Sequence, residues 1–167
     1  MAADIAPADI RRAAELARQS GQALGRILEE QGGLTPAESL SMLAEHYAYP
    51  VISMEQMLKL EPAFDLLPFA ESSRRRCIAF RGPQETLVGV IADPTALEAQ
   101  EWAETLSRRA LDWHLAHHAD IEAFLARTEE SMRALESAVE SADPKRESAA
   151  ARDEISLQSI SEASSTV

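Results

Sequence analysis

Residues 31–38 constrain the fold of this chain most, because they combine the end of one helix with the start of another. Gly33 closes a helical pattern, since glycine readily adopts the left-handed conformation that follows a helix. Thr35, Pro36 and Glu38 then form a capping-box sequence with proline at the first helical position. Helices joined by so short a turn form a compact helical unit.

Residues 1–48 are therefore predicted to be an N-terminal helical subdomain. A first helix follows Pro7 and ends at Ser20-Gly21, a second ends at the glycine pair, and a third ends near Tyr47. One apolar stripe is predicted to be core in part, with a groove left open for a partner helix or strand. It consists of Ile10, Leu16, Leu24 and Leu28.

Residues 49–128 are predicted to be a small α/β subdomain. Two apolar segments around the Gly82-Pro83 turn indicate a pair of strands, and alternation over 111–115 indicates a third. Helical patterns lie between and after them. This order predicts a mixed sheet of about three strands with helices on one face, and an α+β fold for the whole chain. Trp102 and Trp113 are expected in the core.

The net charge of the chain limits the kinds of partner that it could bind. The net charge is −12, which disfavours binding to nucleic acid and to anionic lipid. No apolar run approaches the roughly 20 residues that span a bilayer. Within this acidic chain, one basic cluster is either a solvated loop before a strand or an ionic dock for an acidic partner. It consists of Arg74, Arg75 and Arg76.

Residues with reactive side chains predict no catalytic, cofactor or metal site. Cys77 begins an apolar run and is expected to pack as a small hydrophobe. His114 and His118 would have zinc-ligand spacing in a helix, with His117 between them. The strand alternation argues instead for a solvated strand end, so no metal is expected. His46 is expected at a surface or helix end.

Three stretches together resemble one family, the type II secretion and type IV pilus assembly ATPases of the GspE/PilB/MshE-like group. They are ALGRILEEQGGLTPAESLSMLAEHYAYPVI, LVGVIADPTALEAQEWAETLSRRALDWHLAHHADIEAFLAR and EISLQSISEASSTV. The resemblance covers residues 8–127 and 154–167, and it is to the N-terminal domain of these proteins. The third stretch resembles the segment that opens the next part of the ATPase, so 154–167 is expected to be the start of a truncated ATPase region. Residues 129–153 are rich in Glu, Ser, Ala and Arg, and this composition predicts a helical or flexible linker.

The resemblance implies a docking role in protein secretion. The domain would bind the cytoplasmic part of a GspL-like inner-membrane platform protein, beside the ATPase domain of a hexameric full-length protein. The chain itself would be cytoplasmic and peripheral to the membrane through that partner. The six glycines include none that precedes a Lys-Ser or Lys-Thr pair, so ATP and Mg²⁺ are expected only in the missing ATPase region.

An alternative role is the sensing of cyclic di-GMP, for which some members of the wider family use two Arg-Leu-Gly motifs. Here one copy is nearly complete, but Ala23 stands at its arginine position. Arg26 follows the Leu-Gly pair instead of preceding it. The guanidinium that would pair with or stack on guanine is therefore missing, which favours the docking role.

Overall fold

The structure is a computed structural model, which describes the backbone of residues 6–150 and the side chains up to Ser141. Its described elements are seven α-helices and a four-stranded sheet, which confirms the predicted α+β class. In chain order these elements are α1 (Pro7–Ser20), α2 (Leu24–Gly32), α3 (Pro36–Tyr47), α4 (Met54–Leu58), β1 (Glu61–Pro62), α5 (Phe69–Arg75), β2 (Cys77–Arg81), β3 (Leu87–Ile91), α6 (Leu97–Ser107), β4 (Asp112–Leu115) and α7 (His118–Ala150).

The first three helices begin and end where local sequence signals place them. Gly21 and Gly33 follow α1 and α2 with left-handed φ values of 76° and 67°. At the start of α3, the Thr35 hydroxyl accepts the Glu38 N–H at 3.2 Å. The Glu38 carboxylate accepts the Thr35 N–H at 2.9 Å, which completes the capping box.

The sheet has the order β1-β2-β3-β4. β2 pairs antiparallel with β1 and with β3, whereas β3 and β4 are parallel. The parallel pair requires a crossover connection, and α6 supplies it. β1 was not predicted, because two residues that include a proline carry no alternating apolar pattern.

Helices cover both faces of the sheet, so the expectation of a single covered face is wrong. Along β2, Cys77 and Ala79 join a core cluster that includes buried residues of α1, α2, α3 and α6. Ile78 and Phe80 point the other way and join a second cluster with residues of α4 and α7. Strands buried on both faces read as nearly continuous apolar runs, as β2 and β3 do.

The chain divides into two compact units, residues 1–125 and 126–167. In the second unit the structure describes a stretch of helix whose side chains Met132, Leu135 and Val139 are exposed. The predicted domain boundaries stay predictions, and the expected opening of a further region at 154–167 lies outside the described residues. Among the described helices, none is both long and apolar enough to cross a membrane.

Candidate functional site

A cleft of about 200 Å³ opens where the turn between α1 and α2, the end of α5 and the end of β3 meet. The fold thus brings three segments together that are far apart in sequence. The residues that line the cleft are Gly21, Gln22, Ala23, Arg74, Arg75, Arg76, Ile91, Ala92, Asp93, Ala96, Ala99 and His118. All the members of the predicted arginine cluster lie in its wall.

The arginine cluster belongs to a helix end and not to a loop. Arg74 and Arg75 form the last turn of α5, where cations interact favourably with the helix dipole. Arg76 follows with a left-handed φ of 52°. Both helical arginines donate to Glu71 at 2.5 Å. The hydrogen bond from Arg74, aided by the nearby positive charges, holds the pKa of the exposed Glu71 carboxyl below its usual value.

Other partners fix the remaining guanidinium groups. The Arg75 guanidinium lies 4.6 Å from the centroid of a Trp102 ring, a cation–π geometry. Arg76 pairs with Glu122 at 3.4 Å. The side chains of Arg74 and Arg76 are still 68% and 52% exposed. Exposed ion pairs of this kind contribute little to stability. Acidic side chains of a partner protein could therefore compete with the internal carboxylates for these arginines.

Asp93 is a cleft residue that sequence reasoning did not select as a site residue. It follows β3, and its carboxylate accepts the Thr95 N–H at 2.8 Å and the Thr95 hydroxyl at 2.6 Å. This turn fixes one carboxylate in the wall of the cleft that the arginines also line. The Asp-Pro-Thr sequence after an apolar strand marked the turn, but nothing local indicated that it would line the same cleft as the end of α5.

The predicted apolar stripe is mostly core. Ile10, Leu24 and Leu28 are buried, because they pack into the cluster between the first helices and the sheet. Leu16 is 36% exposed and lies on the outer side of α1. Of this stripe a partner could therefore reach only Leu16 without rearranging the core. Trp102 and Trp113 are partly buried and pack against the same cluster.

Comparison with known proteins identifies the family. A model of the MshEN domain matches residues 47–135, which is more than half of the chain and includes the arginine cluster and Asp93. The chain belongs to the MshEN domain family. The match confirms the resemblance to N-terminal domains of secretion and pilus assembly ATPases, and no ATPase domain is evident in the chain.

Solved structures share the fold of this MshEN domain. A structure of MshE with cdg is 24% identical, with a TM-score of 0.54 over 74% of this chain and 89% of that one. The N-terminal domain of XpsE is 20% identical, with a TM-score of 0.53 over 74% of this chain and 86% of that one. No curated protein matches the chain.

A second polar group lies where α2 meets the start of α7. His117 Nε2 and the Ser39 hydroxyl both donate to Glu29 Oε2 at 2.6 Å. Burial alone would raise the pKa of Glu29, but these hydrogen bonds outweigh it and leave the pKa below its usual value. His118 lies beside His117, whereas His114, the other residue of the considered zinc pair, is not part of this group.

Cys77 and His46 occupy unreactive positions. Cys77 is fully buried, and burial raises the pKa of its thiol to about 12. A thiol that stays protonated is a poor nucleophile, so Cys77 acts as a core residue. His46 is exposed in the last turn of α3.

Proposed function

We propose that this MshEN domain docks a secretion ATPase onto the cytoplasmic part of a GspL-like inner-membrane platform protein. Family membership supports a regulatory or interaction domain of a secretion or pilus ATPase. The docking role is the finer proposal. In it the chain works in the cytoplasm, the full-length protein is a hexameric ATPase, and ATP and Mg²⁺ bind only in the ATPase region.

The observation that carries this proposal is the arginine cluster at the edge of the cleft. A chain with a net charge of −12 presents three neighbouring guanidinium groups on one surface. Their internal partners, Glu71 and Glu122, are themselves about half exposed. An acidic patch on the platform protein would meet a local positive potential within an otherwise repulsive field. Such complementarity orients the encounter and rejects partners of the wrong charge.

Binding to the purified cytoplasmic domain of the platform protein tests the proposal. We expect saturable binding that weakens by about tenfold or more in Arg74→Glu, because the change reverses the charge of the most exposed arginine in the cluster. Arg12→Glu is the matched control. Arg12 is 77% exposed and also pairs with an acid three residues away, Asp9, but it lies on α1 outside the cleft.

Two outcomes would contradict this assignment. If the wild-type domain does not bind, the docking role is wrong. If Arg74→Glu and Arg12→Glu weaken binding equally, net charge and not the cluster explains the interaction. Leu16→Glu tests the exposed position of the apolar stripe. If only this variant loses binding to the platform protein, docking takes place on α1 instead.

A second candidate function is the binding of cyclic di-GMP in the same cleft. The cleft offers several guanidinium groups to phosphate, and one similar structure is of MshE with cdg. Against it, Ala23 lines the cleft where an arginine would stand in the family motif. We expect no heat when the dinucleotide is titrated into the wild-type domain and a saturable signal in Ala23→Arg. Tight binding by the wild type would favour sensing over docking.

A further inference from the structure

Three side chains that can ligate a metal converge where α2 meets the start of α7. They are Glu29, His117 and His118, and one donor atom of each lies within 4.8 Å of the other two. The side chains of His117 and Glu29 are only 11% and 18% exposed. The two imidazole rings lie 4.2 Å apart at an angle of 33°. Within the described residues, this is the group of histidine and acidic side chains close enough to share one ion.

The strongest indication of a ligand comes from His118. Its Nε2 atom is buried and has no hydrogen-bond partner among the described residues. Buried polar atoms in native proteins are nearly always paired, because an unpaired one loses its hydration without compensation. A cavity of about 10 Å³ adjoins both histidines and Ser39. That volume holds about one small species, either a water molecule or an ion.

The charge states of these groups suit a cation. Burial lowers the pKa of His118, as does the neighbouring His117, so its imidazole is neutral near pH 7. Hydrogen bonds from Ser39 and His117 keep Glu29 ionised despite its partial burial. The group therefore combines a fixed negative charge with an imidazole nitrogen that has no competing hydrogen bond.

We propose that Glu29 Oε2, His117 Nε2 and His118 Nε2 bind a late first-row divalent cation, for which Zn²⁺ is the probe. One carboxylate and two imidazoles form a donor set that zinc readily accepts, and a tetrahedral ion keeps one position for water. The ion joins α2 of the helical region to the start of α7. The site keeps His118 of the pair that was considered and rejected from the sequence, but Glu29 and His117 take the place of His114.

Binding must displace hydrogen bonds that already exist. His117 Nδ1 accepts the Ala119 N–H at 3.1 Å, and its Nε2 donates to Glu29. To ligate the ion through Nε2, the neutral His117 ring moves its proton from Nε2 to Nδ1, so the Ala119 N–H loses its acceptor and Glu29 exchanges a hydrogen bond for a coordination bond. Because only an unprotonated ring nitrogen can ligate the ion, protons compete with the metal and the affinity falls as the pH is lowered.

Calorimetric titration of Zn²⁺ into the full chain, stripped of metal and free of any histidine tag, tests the proposal. We expect saturable binding of one ion per chain. His118→Gln should weaken it by about tenfold or more, since loss of an outer-shell partner alone costs that much at many zinc sites. This variant removes no hydrogen bond of Nε2, so we expect it to fold. Glu29→Gln should weaken binding in the same direction.

His114→Gln is the matched control, because His114 bonds through Nδ1 to the Asp112 carbonyl of its own strand. It should bind Zn²⁺ as the wild type does. Co²⁺ absorption provides an independent readout, since a buried tetrahedral site gives intense visible bands that His118→Gln should lose. An absence of saturable Zn²⁺ binding would overturn the proposal and leave water as the occupant of the cavity. So would equal binding by His118→Gln and His114→Gln, with unfolding curves showing both variants folded.

Discussion

At the scale of single residues, Gly89 is the position in β3 where a side chain finds no room. A Cβ atom built there would lie 2.5 Å from two atoms of the Trp113 ring on the neighbouring strand. The indole is held in place by a 3.0 Å hydrogen bond from its Nε1 to Glu104. A ring fixed in this way cannot move aside without weakening this partly buried hydrogen bond.

We therefore predict that Gly89→Ala lowers the free energy of unfolding by about 1–3 kcal/mol, the usual effect of overpacking a core. Urea denaturation followed by circular dichroism measures this. In a Trp113→Leu background the same change should have a much smaller effect, because the conflicting ring is gone. Strictly additive effects of the two substitutions would show that the clash is not the cause.

His118 also contributes to the free energy of unfolding, and its contribution depends on pH. Its folded pKa lies below the ordinary 6.5 through burial and the charge of His117, with Arg26 acting in the same direction and Glu29 and Glu122 opposing it. As the pH falls through 6.5, the unfolded chain takes up this proton before the folded one does. The stability that His118 contributes is thus fully present above pH 6.5 and is lost as the pH falls through its folded pKa.

We predict that the free energy of unfolding declines from pH 7.5 to pH 5.5 and that the decline is shallower in His118→Gln. The comparison is made by urea denaturation in chelator, so that no metal contributes. Because the variant retains His117 and Glu29, the difference between the two curves isolates His118. Parallel curves would mean that this histidine titrates equally in both states.

At the scale of elements, the start of α3 depends on a local hydrogen-bonded cap. The Thr35 hydroxyl and the Glu38 carboxylate satisfy two backbone N–H groups that the helix itself leaves unpaired. Thr35→Ala should lower the free energy of unfolding by about 1 kcal/mol. Thr105→Ala, on the exposed side of α6, should have little effect or a slightly stabilising one, since alanine favours a helix interior. Equal losses in the two variants would argue against the cap.

Sequence signals that act on neighbouring residues predicted part of the fold, whereas contacts between residues far apart in the sequence could not be predicted. Gly33 and the capping box act on neighbouring residues, so the limits of α1, α2 and α3 were predictable. α5 was missed because its apolar pattern is short, and the arginines at its end were assigned to a loop. The contact between Glu29 and His117 spans 88 residues and depends on how α2 packs beside α7. No spacing within the sequence could place those two side chains together. For the same reason, the sequence did not show that Asp93 and the arginines line one cleft.

At the scale of the whole molecule, electrostatic repulsion opposes folding. The chain carries 28 acidic and 16 basic side chains, and most ion pairs within the described residues are exposed pairs on one helix. Such pairs contribute little, whereas a large net charge destabilises the compact state through self-repulsion. Salt screens both the attraction within ion pairs and the repulsion from the net charge. Whether the free energy of unfolding rises or falls with added salt therefore shows which of the two is larger.

We predict that the free energy of unfolding rises as KCl is increased from low concentration to about 0.15 M, where the screening length is about 8 Å. A double variant, Glu101→Lys with Glu130→Lys, exchanges two exposed acids for bases and brings the net charge from −12 to about −8. Its stability should depend less steeply on salt than that of the wild type, because there is less repulsion to screen. Urea denaturation at each salt concentration measures both slopes. A fall in stability with salt would instead mean that the attractive surface pairs outweigh the repulsion from the net charge.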